Sequence, residues 1–176
     1  MRMPVVRLIT LSVALVALAS CSYVYKLRAV AVGGRLAFVV DPSSHRRPKC
    51  VRSVSVVIDD DGPRATPAPG DDKALVLNGG VYWEQTVAVD ECPNPFPVVY
   101  GAALKGVPFD YGDGRTSSVA AKPLRPGFVY EVDTSSRGSG YGTGWFRIRM
   151  DGRIENLPSD PTPRHLMDDA SGKNAG

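Results

Sequence analysis

What this chain has little of narrows its chemistry first. Three cysteines and two histidines stand among 176 residues, too little material for a His/Cys metal cluster or for catalysis built on several imidazoles. No C-x-x-C spacing occurs, which removes the usual zinc and redox-pair signatures. Neither sign of charge runs in a long block: 21 Lys and Arg face 18 Asp and Glu for a net +3. That excludes a basic nucleic-acid arm or an acidic tail as the chain's main business, and no nucleic-acid partner is expected. Glycine and proline are plentiful instead, at 18 and 15 residues, a composition of many turns and short strands rather than long helices.

The most informative segment is the N-terminus. Arg2 and Arg7 precede the apolar run Leu8–Leu18, which is too short to span a bilayer as a mature helix and suits the core of a signal peptide. The run ends in Leu18-Ala19-Ser20-Cys21, which resembles the lipobox of bacterial lipoproteins: a branched residue, two small residues and a cysteine. The resemblance implies that residues 1–20 are removed and that Cys21 becomes the acylated first residue of the mature chain. An ordinary secretory signal with a free cysteine nearby is the other reading. Ser22 in place of an aspartate resembles the Gram-negative pattern for the outer membrane, with the inner membrane or the cell surface as alternatives. Two or three acyl chains anchor durably, each buried methylene contributing about 0.8 kcal/mol. Losing Arg2 and Arg7 lowers the net charge from +3 to +1.

Export would place Cys50 and Cys92 where disulfides persist. They are expected to pair, closing a loop of roughly 43 residues worth about 4 kcal/mol by chain entropy. A redox or metal-binding pair is the alternative.

From Tyr23 to about Leu157 the apolar pattern has period two, so the spacing predicts strands. Tyr25, Leu27, Ala29 and Ala31 alternate with polar residues, Gly33-Gly34 supplies a hairpin turn, and Leu36, Phe38 and Val40 follow on the return. Val54, Val56 and Ile58 form the next face, and Asp59-Asp60-Asp61-Gly62-Pro63 stops it. Val81, Trp83, Val87 and Val89 make another. Strands are expected at Val98–Leu104 and Phe128–Asp133, and a last hairpin joins Trp145–Met150 to Arg153–Leu157 through a type I′ turn at Asp151-Gly152. No amphipathic helix is expected beyond the leader.

Seven or eight such strands point to an all-β, antiparallel β-sandwich over residues 21–157, with 158–176 as a flexible tail. A β-barrel is the alternative. Leu124-Arg125-Pro126-Gly127-Phe128-Val129-Tyr130-Glu131-Val132 is similar to the L-x-P-G-x-x-Y-x-V segment of fibronectin type III domains. The resemblance implies an immunoglobulin-like sandwich in which Tyr130 bonds back to the preceding backbone.

Other motifs are read as structure. Asp59–Gly62 and Asp110–Gly114 could each begin a weak cation site, but both suit a solvated turn. Gly138–Gly144 lacks the Lys-Ser/Thr and helix start of a phosphate loop and is expected to be a flexible connection opening a strand. His45 and His165 lie in loops away from any G-x-S-x-G elbow, so an enzyme is not expected; a hydrolase with dispersed residues is the residual reading.

One surface suggests binding. On the Trp145–Met150 strand, Phe146, Ile148 and Met150 are expected to face the core, leaving Trp145, Arg147 and Arg149 outward with Tyr141 nearby. Aromatic and guanidinium groups together suit a glycan, an anionic headgroup or a protein partner; the alternative is that another layer covers the strip. Tyr82 and Glu84 are expected to face outward opposite Trp83. The chain thus reads as a lipid-anchored binding or accessory module, without cofactor or metal. Its expected partners are membrane lipid through Cys21 and an unknown envelope protein or glycan.

Overall fold

Residues two apart along a strand point the same way, and here the alternating apolar sets meet on one inner face. The computed structural model describes residues 22–59, 61–88, 93–110, 118–136 and 140–158. The leader and Cys21, together with Val89, Cys92, His165 and the tail beyond residue 158, lie outside the described residues.

Among the described residues the chain is nearly all β. Its elements are β1 (Tyr23–Val32), β2 (Arg35–Val40), β3 (Cys50–Val51), β4 (Ser53–Ile58), α1 (Lys73–Leu77), β5 (Val81–Ala88) and β6 (Asn94–Pro95). There follow β7 (Val98–Val99), β8 (Val107–Pro108), β9 (Val129–Ser136), β10 (Gly140–Ile148) and β11 (Ile154–Leu157). Nine strands form one curled sheet in the order β7-β2-β1-β10-β9-β4-β5-β8, with β11 also on β10; β3 and β6 make a small separate pair. Among the described residues the end strands β7 and β8 do not pair with each other, so the described sheet curls without closing as a barrel.

Strand β1 belongs to both halves of the curl. Its first residues run parallel to β10, Tyr23 beside Gly140 and Lys26 beside Thr143. From Leu27 onward it pairs antiparallel with β2. The sheet is therefore mixed, not purely antiparallel as expected. Gly33 and Gly34, at φ 56° and 76°, make the tight turn between β1 and β2 that the sequence predicts.

The core lies in the fold of the curl. Tyr25, Leu27, Ala29, Phe38, Val54, Val56, Ile58, Trp83, Tyr130, Val132 and Phe146 are all buried there. Tyr130 and Phe146 stack with ring centres 5.6 Å apart. The Tyr130 hydroxyl accepts the Arg125 N–H at 2.8 Å and donates to the Arg125 carbonyl at 3.4 Å, the backbone bond that the Leu124–Val132 motif implies. Burial pushes the Tyr130 hydroxyl up to about 12, so it stays protonated and serves as donor and acceptor.

Several expectations are corrected. The helix α1 was not anticipated, because five residues are too few to show a period. Its start is set by Asp72, whose carboxylate accepts the Ala74 and Leu75 N–H groups. The Val98–Leu104 strand stops at Val99, since the chain turns through Gly101 at φ 75°. Tyr82 is buried, not outward: the register shifts between Val56 and Val57 opposite it, and its ring packs edge-on to Tyr130. Met150 is exposed, because β10 ends at Ile148 and Met150 sits in the turn. That turn is longer than type I′. Arg149 pairs with Arg153, the Gly152 N–H donates to the Arg149 carbonyl, and Gly152 takes φ 80°, the three-residue pattern with a glycine bulge.

The glycine run differs most from expectation. Gly140, Gly142 and Gly144 are buried strand residues, not a flexible connection. A Cβ on Gly142 would lie 2.1 Å from the Tyr25 ring, and one on Gly144 would lie 2.5 Å from the Leu27 carbonyl oxygen. Glycine is needed so that β1 side chains can lie across β10. The pairing of Cys50 with Cys92 stays an expectation, because Cys92 lies outside the described residues.

Candidate functional site

The outer face of the same sheet is polar, and register builds it row by row. Across the strands, Lys26 on β1 lies beside Thr143 on β10, which faces Asp133 on β9, then Ser55 on β4 and Glu84 on β5. The next row sets Trp145 against Glu131 and then Val57. A third sets Val24, Tyr141, Ser135, Ser53 and Thr86 in line.

Hydroxyl groups tie the rows together. The Thr143 hydroxyl bridges two carboxylates, with close contact to Asp133 and a 3.2 Å bond to Glu131. Ser53 and Ser135 hydroxyls bond each other, and Ser55 donates to Glu84 at 3.5 Å. Burial pushes the Asp133 carboxyl up, against the lowering bond from Thr143. Glu131 is raised by burial and then by repulsion from Asp133, again opposed by Thr143. Burial also raises Glu84, against its bond from Ser55. Three half-buried acids therefore share one face, each more ready to hold a proton than in water. Among the described residues, no three His, Cys, Asp or Glu side chains are placed to hold a metal ion together.

The four residues of the expected strip are on this face of β10 or just beyond its end. Tyr141 is exposed, Trp145 and Arg147 are half-buried, and Arg149 is exposed in the turn. Their charge is already answered. Glu155 on the neighbouring β11 accepts from Arg147 Nε at 2.8 Å and Nη2 at 3.2 Å, and lies 4.0 Å from Arg149 Nη1. This two-point pairing holds the Arg147 guanidinium still higher than usual.

Trp145 lines a hollow of about 180 Å³ with Lys26, Arg28, Asp41, Ser43, Asn156 and neighbours. A shallower one of about 340 Å³ lies over Gly127, Arg147, Arg149, Met150 and Asp151. The first is smaller than the roughly 300–1,000 Å³ usual for a small-molecule site and the second, shallower one is at its lower bound, so this face fits contact with a surface better than engulfing a ligand.

Other candidates do not join it. His45 is exposed on the β2–β3 loop. Asp59 and Asp61 flank a turn closed by the Gly62 N–H on the Asp59 carbonyl, with Asp60 outside the described residues. Asp110 is exposed, while residues 111–114 are outside the description.

The carboxylate rows were missed by reading one strand at a time. Glu131, Asp133 and Ser135 alternate visibly with Tyr130, Val132 and Thr134, but only cross-strand register sets them beside Thr143 and Ser55. No helix among the described residues is long and apolar enough to cross a membrane. Comparisons with protein-family models, curated proteins and solved structures found nothing that matches this chain.

Proposed function

We propose that this protein is a bacterial envelope lipoprotein, anchored through acylated Cys21 at the outer membrane, whose domain works as an accessory binding module rather than by turnover. The outer sheet face carries the reading. Tyr141 and Trp145 stand there beside a ladder of hydroxyls and carboxylates, a surface with aromatic anchors and a polar surround such as protein partners use. The Leu18–Cys21 lipobox supports the anchor. The sharing of β1 between two half-sheets and the Tyr130 corner bond support an immunoglobulin-like sandwich. The strand pair of Cys50 with Pro95, three residues beyond Cys92, supports the Cys50–Cys92 disulfide.

Glu155 decides which ligands suit the strip. An anionic ligand reaching for Arg147 must displace a two-point carboxylate partner, so peptidoglycan carboxylates are disfavoured there against a protein surface. A glycan is the second reading, favoured by the hollow beside Trp145, where Ser43, Asp41 and Asn156 could meet sugar hydroxyls.

Affinity capture from solubilised envelopes, run beside peptidoglycan co-sedimentation, tests both. A folded Trp145→Ala/Tyr141→Ala variant is expected to lose the captured protein; equal capture by variant and wild type overturns the assignment of this face. Retention on peptidoglycan with no captured protein favours the glycan. Cys21→Ser is expected to abolish lipid labelling, and unchanged labelling overturns the anchor.

A further inference from the structure

Among the described residues, one end of the domain gathers cations with no carboxylate within ion-pair distance. The chain leaves β2 beside Lys26, where the Asp41 N–H donates to the Lys26 carbonyl. It then runs toward the start of β1, so that the Arg46 guanidinium lies 5.5 Å above the Tyr23 ring centre. Arg52 is fixed at the same end, its N–H donating to the Ser135 carbonyl beside the first residue of β4. Lys105 joins from the other side: its N–H donates to Asn94 Oδ1, and Asn94 pairs with Val51. Arg46, Arg47, Lys49, Arg52 and Lys105 are all exposed. None has a carboxylate within ion-pair distance among the described residues. Arg47 spends its donors on the Pro42 and Ser44 carbonyls instead.

The same end carries exposed apolar groups. Val24 is 74% exposed and sits beside Tyr141, and Val107 is 71% exposed opposite Ala88 at the end of β5. Cations around scattered apolar and tyrosine side chains suit the headgroup layer of a membrane, where each Lys or Arg attracts anionic lipid and tyrosine sits at the interface.

We propose that this end of the domain lies directly on anionic phospholipid headgroups. The inference rests on the reading of Cys21 as acylated and sharpens it. Only Ser22 separates Cys21 from β1, and two residues reach at most about 7 Å. The anchor has no linker to hold the domain away from the bilayer, so the Tyr23 end, with Arg46, Arg47, Lys49, Arg52 and Lys105, stays within reach of the headgroups, and anionic charge there draws it down. The opposite end, at the Arg149–Arg153 turn, stands roughly 27 Å farther along β10, beyond the screening length of about 8 Å at physiological salt.

The test uses the full-length protein produced in its bacterial host and reconstituted into vesicles of phosphatidylglycerol with phosphatidylethanolamine, or of phosphatidylcholine. Flotation reports attachment, and peptide mass reports acylation of Cys21. Trypsin cleavage after Arg46 and Lys49 is expected to be about tenfold slower on the anionic vesicles. Protection should vanish in about 1 M salt, where screening acts over about 3 Å. Cleavage after Arg153 should be the same on both vesicles. Arg52→Gln/Lys105→Gln should weaken protection while leaving the cleaved bonds intact. Equal cleavage on both vesicle types by attached, acylated protein overturns the proposal and leaves the anchor standing. An unacylated chain that floats only with anionic vesicles supports this surface and overturns the anchor. An unacylated chain that floats with neither overturns both.

Discussion

The Tyr25 hydroxyl meets Thr134 Oγ1 at 2.7 Å by passing over Gly142, so that a β1 side chain bonds to β9 across the strand between them. Tyr23 repeats the arrangement one pair along, reaching Ser136 at 3.1 Å over Gly140. Gly142→Ala would thrust a methyl into the Tyr25 ring from 2.1 Å. It is expected to cost about 3 kcal/mol, as overpacking of a tight core does. Gly152→Ala meets no atom within 4 Å and pays only for its φ of +80°, about 1 kcal/mol. Urea unfolding of the two variants measures the difference; similar losses would refute the close-approach role of Gly142.

Asp71 and Lys122 form an ion pair with side-chain exposures of 2% and 9%. Asp71 also accepts the Ala120 N–H at 2.8 Å and the Ala68 N–H at 2.5 Å. The pair clamps the proline-rich segment after β4 to the strand-like stretch at Val119–Lys122. Lys122→Met leaves a buried carboxylate unanswered and is expected to cost about 3–5 kcal/mol, while Lys122→Met/Asp71→Leu should recover much of the loss. A double-mutant cycle in urea checks both halves.

Stability should respond to pH in two opposite steps. Burial raises Asp71, but the bonds from Lys122, Ala120 and Ala68 outweigh it and hold the group below its usual range. Its contribution is full above the unfolded value of about 3.9 and is lost as pH falls through the lower folded value. Glu84, Glu131 and Asp133 are raised instead, so the folded protein binds protons before the unfolded chain does. They weaken the fold at neutral pH, and stability rises as pH falls through their folded values toward about 4. Unfolding free energy is therefore expected to peak in mild acid and drop below about pH 4. Thr143→Val removes the hydroxyl favouring the charged forms of Asp133 and Glu131. Its cost of about 1 kcal/mol at pH 7 should shrink in mild acid; a constant cost would refute the link.

If Cys50 pairs with Cys92, the oxidised protein should show no free thiol at either position and a linked peptide after digestion. Cys50→Ser should lower stability by about 4 kcal/mol on the chain-entropy estimate. A free Cys92 thiol in the oxidised protein would overturn the pairing.

Strand content was legible wherever side chains alternate. Val54, Val56 and Ile58 point inward as read, and the Pro126-Gly127 turn with Tyr130 gave away its local bond. Glycine was the blind spot: Gly140, Gly142 and Gly144 have no side chains to show a period, and their place in β10 follows only from what lies across them, the Tyr23 and Tyr25 rings over the first two and Leu27 over the third. Tyr82 was misplaced because a one-residue irregularity reverses the facing of its strand, and no local signal marks it. The outward strip on β10 was readable from alternation. Glu155 was not, because the expected two-residue turn at Asp151-Gly152 sets it opposite Ile148, and the longer turn shifts it by one residue to face Arg147.

The parallel run of β1 beside β10 has a mechanical consequence. A pull on Ser22 directed along the strand away from the domain loads the bonds from Tyr23 to Lys26 together, sliding β1 lengthwise against its neighbour instead of peeling it off bond by bond. The tyrosines crossing the glycines would have to be dragged past Thr134 and Ser136 before the strand could slip. The first strand is thus built to carry tension at the point where the chain enters the fold.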